Sequence, residues 1–133
     1  MTLILDGEVA IFDDKLVSRF EWFRKRPEEV ASTPPIYMAF DCLHLEGRDL
    51  CPLSLHERRA ALEQMTENDH TLIFPSRRLA ENGLEAWAQV LQSGYEGMVA
   101  KDQESPYQGG RTLKWLKVKV PRYREEERNF YKP

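Results

Sequence analysis

Apolar positions along this chain fall into short alternating or continuous runs broken by turn residues, and in two stretches they recur at helical spacing. Thr2 to Phe12 reads as a β segment containing Leu5-Asp6-Gly7-Glu8-Val9, and Asp13-Asp14 supplies a turn before Leu16-Val17. Ser18-Arg19-Phe20-Glu21 has capping-box spacing, which predicts a short helix through Arg26 that Pro27 helps to end. After Pro34-Pro35, Ile36 to Leu45 reads as a strand, and Glu46 to Asp49 as the turn of a hairpin continuing through Leu50. Ser54 to Glu57 repeats the capping-box spacing, with Leu55, Arg58, Leu62 and Met65 at helical intervals behind it. His70 to Pro75 reads as a strand. Leu84, Trp87, Ala88 and Leu91 mark one face of a second helix closed by Gly94. Strands at Tyr95 to Lys101 and Thr112 to Val120 flank a loop, Asp102 to Arg111, that carries Pro106 and Gly109-Gly110. Strands dominate, which predicts an α+β fold with a mainly antiparallel sheet and inserted helices. No repeat or long linker divides the chain, so one domain, or a piece of one, is expected.

Composition narrows this picture. At 133 residues and 41% hydrophobic the chain can bury a core. A formal charge of −3 argues against a surface that is cationic all over, so any nucleic-acid contact has to use a local patch. Cys42 and Cys51 supply neither a disulfide framework nor a four-cysteine zinc site. No apolar run approaches a bilayer span and no leader pattern opens the chain, which makes a cytoplasmic protein without membrane contact the expectation.

Four groups of residues could carry chemistry. Strand alternation puts Trp115, Lys117 and Lys119 on one face, where two ammonium groups suit a polyphosphate; a solvated edge strand is the commoner setting for a lone pair of this kind. In Glu96-Gly97-Met98-Val99-Ala100-Lys101, the glycine permits close backbone approach beside a carboxylate, as a nucleotide or hydrated metal would need. Asp6 and Glu8 share a strand face and offer oxygen ligands of the kind Mg²⁺ takes, although Asp-Gly is equally a common turn. Phe40, beside Asp41, could stack on a base, but such a ring is more often core.

Together, in order, the segments LDGEV (5–9), YMAFDCLHLEGRDL (37–50), LSLHERRAALEQM (53–65), EGMVAK (96–101) and LKWLKVK (113–119) resemble successive motifs of the covalent nucleotidyltransferases. The resemblance is to the adenylation domain of ATP-dependent DNA ligases, including bacterial end-joining ligase modules, and it implies the DNA-ligase/capping-enzyme nucleotidyltransferase fold over residues 1–120. The glutamate opening EGMVAK favours a DNA ligase over a capping enzyme. By this resemblance Glu8 matches an acid near the ribose or metal, Phe40 the aromatic that packs on adenine, and Asp41 the acid that braces it. Glu96 matches a metal-associated carboxylate. Lys101, Lys117 and Lys119 match lysines near the nucleotide, the last two close to the α-phosphate. The implied ligands are ATP or AMP as substrate, Mg²⁺ held by Glu8 and Glu96, and DNA in the intact enzyme, serving repair and recombination. His44, His56 and His70 match nothing catalytic.

The pattern breaks in one place. Family chemistry begins with a lysine in a Lys-x-Asp-Gly motif, and this sequence has none: Ile4 stands where that lysine would precede Asp6-Gly7. In the family the nucleophile lies upstream of the LDGEV-like segment, so it is expected before Met1, and residues 121–133 read as an exit linker with the OB-fold domain absent. No catalytic residue is therefore assigned. Three readings stand: a ligase fragment unable to self-adenylylate, which is preferred; a non-catalytic nucleotide-binding or interaction module; and half of a split ligase completed by another chain. An uncovered sheet edge also gives the expectation of a homodimer or a complementing chain.

Overall fold

The computed structural model describes residues 2–24, 33–67 and 72–122. They form two compact units, Met1–Arg77 with Gln103–Gly110, and Arg78–Asp102 with Arg111–Pro133. Both mix strands and helices, in keeping with the α+β class.

In the first unit, β1 (Leu3–Ala10) pairs antiparallel with β2 (Ile36–Leu45). The β2 span is the one its apolar run predicts. On the other edge of β2, β3 (Arg48–Asp49) pairs antiparallel and β4 (Ile73–Pro75) parallel. The β2–β3 turn is Glu46-Gly47, both at positive φ (50° and 79°), the left-handed pair that a two-residue hairpin requires. β4 is shorter than predicted, and His70 lies outside the described residues.

The β1–β2 register slips twice. Ile4 faces His44 while Leu5 faces Cys42, and Asp6 faces Asp41 while Gly7 faces Ala39, leaving Leu43 and Phe40 as the extra residues. Such bulges re-aim side chains and break simple alternation. Accordingly the neighbours Asp41 and Cys42 are both fully buried. At Gly7 an added Cβ would run into the Met38 carbonyl and the Tyr37 ring, so β2 itself demands the glycine of LDGEV.

Helix α1 (Leu55–Thr66) begins at the predicted box: Glu57 N–H donates to Ser54 Oγ (3.3 Å), and Ser54 N–H to Glu57 Oε2 (3.1 Å). Its Leu62 is fully buried with Ala39, Cys42 and Leu50, surrounded by Leu3, Leu5, Leu45, Met65 and Ile73. Burial of a leucine at such a centre contributes about 1.5–3 kcal/mol. The predicted helix from Ser18 is instead a 3₁₀ turn, Phe20–Phe23, with Arg19 at its cap and no side-chain cap bond. Its predicted end at Arg26 lies outside the described residues. The reason is visible upstream: buried Asp13 accepts from Lys15 N–H and Val17 N–H (both 2.9 Å) and Arg19 Nε (2.8 Å), so Arg19 is held by the preceding loop.

In the second unit, α2 (Gly83–Ser93) lies against the hairpin of β5 (Gly97–Lys101) and β6 (Trp115–Lys119). Asn82 Oδ1 caps α2 by accepting from Leu84 and Glu85 N–H, and Gly94 closes it in the left-handed conformation (φ 68°), as its position predicts. Of the four residues that mark the predicted face, only Trp87 is half-buried. Ala86 and Val90 are buried, whereas Leu84, Ala88 and Leu91 face outward, with Leu84 84% exposed. Positions 84 and 86 lie about 200° apart around a helix, and contact with β5 chose the narrower stripe over the larger side chains.

At Gly97, too, an added Cβ would meet backbone, here the Val118 carbonyl and Lys119 Cα. What approaches this glycine is β6, not the ligand envisaged from sequence. Gly97→Ala is expected to lower stability by about 1–3 kcal/mol in urea titrations; an unchanged midpoint would mean that β6 can shift to admit a methyl group.

Candidate nucleotide site

The strand-face reading of the lysines holds in the hairpin register, where Lys101 pairs with Trp115, Val99 with Lys117 and Gly97 with Lys119. With strand alternation, Lys101, Trp115, Lys117 and Lys119 therefore share one face. Lys101 Nζ sits 4.0 Å from the Trp115 ring centroid, within cation–π reach. Lys119 Nζ lies 3.0 Å from Glu96 Oε1, with the lysine side chain only 12% exposed and the glutamate 60%. Lys117 is exposed, and among the described residues its ammonium has no ion-pair partner. Glu96, Lys101, Lys117 and Lys119 are thus brought together within the second unit.

Glu8 and Phe40 belong to the first unit. Glu8 is exposed on β1, opposite Met38, and Phe40 is half-buried at the β2 bulge. Asp6, read with Glu8 as a metal ligand, is committed elsewhere: Tyr107 Oη donates to its Oδ2 at 3.0 Å. Burial and that hydrogen bond raise the Tyr107 phenol above its ordinary pKa, keeping it a donor. Burial, then the neighbouring Asp41 charge, likewise pushes the Cys42 thiol up, which makes it an unreactive core group.

Two residues behind Phe40 and Asp41 were not singled out from the sequence as site residues. Arg58, fully buried on α1, grips Asp41 with a fork, Nε to Oδ1 and Nη2 to Oδ2, both 2.8 Å. Its Nη1 donates to the carbonyls of Leu53 (2.6 Å) and Ser105 (2.9 Å). Arg59 donates from Nη1 to the Phe40 carbonyl (3.1 Å) and Ser76 Oγ (3.0 Å), and from Nη2 to the Ser76 carbonyl (2.7 Å) and Glu63 (3.2 Å). A cation in the apolar stripe of a helix was the available signal, since a buried arginine needs a buried acid and Asp41 stands in an apolar strand.

A family model for the ATP dependent DNA ligase domain matches residues 1–119. The chain belongs to the ATP-dependent DNA ligase family. It is 34% identical over 116 residues to the multifunctional non-homologous end joining protein LigD of Pseudomonas aeruginosa, covering 86% of this chain and 14% of that protein. Against a probable DNA ligase of Nocardioides sp. it is 36% identical over 122 residues, covering 89% of this chain and 24% of that one. Its fold matches the ligase domain of M. tuberculosis LigD with a TM-score of 0.73 and 32% identity, over 88% of this chain and 37% of that one. A mycobacterial DNA ligase D complexed with ATP and MES gives 0.74 and 32%, over 88% and 38%. The chain thus spans a quarter or less of these curated relatives. As the resemblance implied, the fold is that of the ligase nucleotidyltransferase domain.

Among the described residues of this ligase-family chain, no helix is long and apolar enough to cross a membrane. Nor do these residues contain a cluster of three or more His, Cys, Asp or Glu side chains suited to a metal ion. Glu8 and Glu96, one in each unit, are exposed single carboxylates, and a lone carboxylate suits Mg²⁺ only as one ligand among phosphate oxygens and waters.

Proposed function

We propose that this chain supplies nucleotide-binding residues of a DNA-ligase adenylation domain, holding ATP or AMP without itself forming the lysyl adenylate. The observation that carries the reading is the hairpin face of Lys101, Lys117 and Lys119 beside Glu96, in a chain of the ligase family. Phe40 offers the base a stacking surface, with Asp41 bracing its strand. Lys117 and Lys119 meet charge on the α-phosphate, Lys101 stands close to the nucleotide, and Glu8 lies near the ribose or metal. By the family resemblance Glu8 and Glu96 are each a carboxylate that would offer an oxygen to Mg²⁺, and the ion would withdraw charge from the phosphates. DNA is the substrate of the complete reaction and lies outside what this chain binds strongly.

In the family's first step a lysine nitrogen forms a bond to the α-phosphorus while the bond to the bridging oxygen breaks and pyrophosphate leaves. This sequence contains no Lys-x-Asp-Gly. Incubated with Mg²⁺ and ATP labelled at the α-phosphate, the chain is therefore expected to bind nucleotide reversibly and retain no label after denaturation. A stoichiometric acid-labile lysine adenylate would overturn the assignment of no nucleophile, and absence of any reversible binding would overturn the nucleotide reading.

A further inference from the structure

Phe40 is the extra residue of a β-bulge, where the strand ladder does least to fix the main chain. On the opposite edge of β2, the parallel ladder with β4 runs through Ala39, whose carbonyl accepts from Ser76 N–H at 2.7 Å. Beyond that bond the guanidinium of Arg59 takes over. It spans β2 and the residue after β4, donating to the Phe40 carbonyl on one side and to both the hydroxyl and carbonyl oxygen of Ser76 on the other. The side chain is itself 9% exposed and is anchored at its far end by Glu63.

We propose that Arg59 is a positioning residue for base recognition: it fixes the peptide of Phe40 at the bulge and so sets the plane the ring presents to adenine. The inference rests on the nucleotide reading above. Arg59 makes no contact with the nucleotide in this role. The guanidinium makes four hydrogen bonds here, to Phe40, Ser76 twice and Glu63, one more than the three donors of a lysine ammonium supply.

The test is a double-mutant cycle read by calorimetric titration with ATP and, separately, with inorganic tripolyphosphate, each in Mg²⁺. Arg59→Met is expected to weaken ATP binding by about tenfold and to leave tripolyphosphate within about twofold, because only the base senses the ring. In a Phe40→Ala background the same change should add little, since the ring it orients is gone. A purely structural role would weaken both ligands equally, or add its full loss to that of Phe40→Ala, and either result overturns the proposal. Arg59→Lys, which keeps the charge, should lose base affinity like the methionine variant and provides the same readout if Arg59→Met does not fold. Wild-type chain that binds neither ligand overturns the nucleotide reading and this inference together; wild-type binding with an unaltered ATP response in both Arg59 variants overturns this inference alone.

Discussion

Arg58→Met should cost about 3–5 kcal/mol of folding stability, the scale measured when one member of a buried ion pair is removed. That loss is large against the roughly 5–15 kcal/mol that holds a typical domain together. The cause is electrostatic rather than steric. Methionine fills much of the same volume, but Asp41 stays fully buried and loses both of the 2.8 Å bonds that compensate its charge. The carbonyls of Leu53 and Ser105 lose a donor as well. Asp41→Leu alone should be damaging for the converse reason, leaving a guanidinium without its acid. Combining Asp41→Leu with Arg58→Met should recover much of the loss, because an apolar pair carries no desolvation penalty. Urea denaturation of the two single variants and the double variant decides this; strictly additive losses would show that the pair is not the unit of stability.

The second large effect concerns affinity. Lys117→Ala combined with Lys119→Ala is expected to weaken ATP binding at least about a hundredfold, since charge-assisted hydrogen bonds contribute roughly 1.5–3 kcal/mol each. The two lysines should not count equally. Lys119 already has Glu96 at 3.0 Å, so part of its charge is answered within the protein, whereas Lys117 is exposed on the same face. Lys117→Ala alone should therefore cost more affinity than Lys119→Ala alone. Folding should suffer little in either case, because an ion pair with a 60% exposed glutamate is worth at most about 1 kcal/mol. Titration with ATP across the four proteins measures the ranking; indifference to both substitutions would favour a scaffold role for the hairpin.

Much of the fold was legible because local signals were strong. The Ser54 capping box, the Gly94 terminus and the uninterrupted run from Ile36 to Leu45 each point to one structure, and each is where expected. Other features depend on distant partners that a local pattern does not contain. The Ser18 box was spelled correctly but Asp13 had already claimed Arg19. On α2, which packs against β5, apolar size pointed to Leu84 and Leu91, while the buried positions are Ala86 and Val90. The same distinction applies to the site. Alternation alone was enough to place Trp115, Lys117 and Lys119 on one face, but that Lys101 joins them opposite Trp115 follows from the β5–β6 register, which the local pattern does not contain. The arginines behind Phe40 and Asp41 required knowing that α1 crosses β2, a contact between residues 17 and 19 positions apart. Gly97 was read as an opening toward a ligand and Asp6-Gly7 as a possible turn, but each glycine accommodates a neighbouring strand.

The loop Gln103–Gly110 groups with the first unit, although the strands on either side of it group with the second. Its carbonyls at Gln103 and Ser105 accept from the first N–H groups of α1, at His56 and Leu55, and Tyr107 N–H donates to the Cys51 carbonyl. During synthesis the start of α1 therefore emerges some fifty residues before the chain that completes its hydrogen bonding. Of the two carbonyls that Arg58 Nη1 reaches, that of Ser105 belongs to this later segment. Neither unit can be cut out as a continuous stretch: a chain stopped at Arg77 would contain every strand of the first sheet and still lack the segment that closes its main helix.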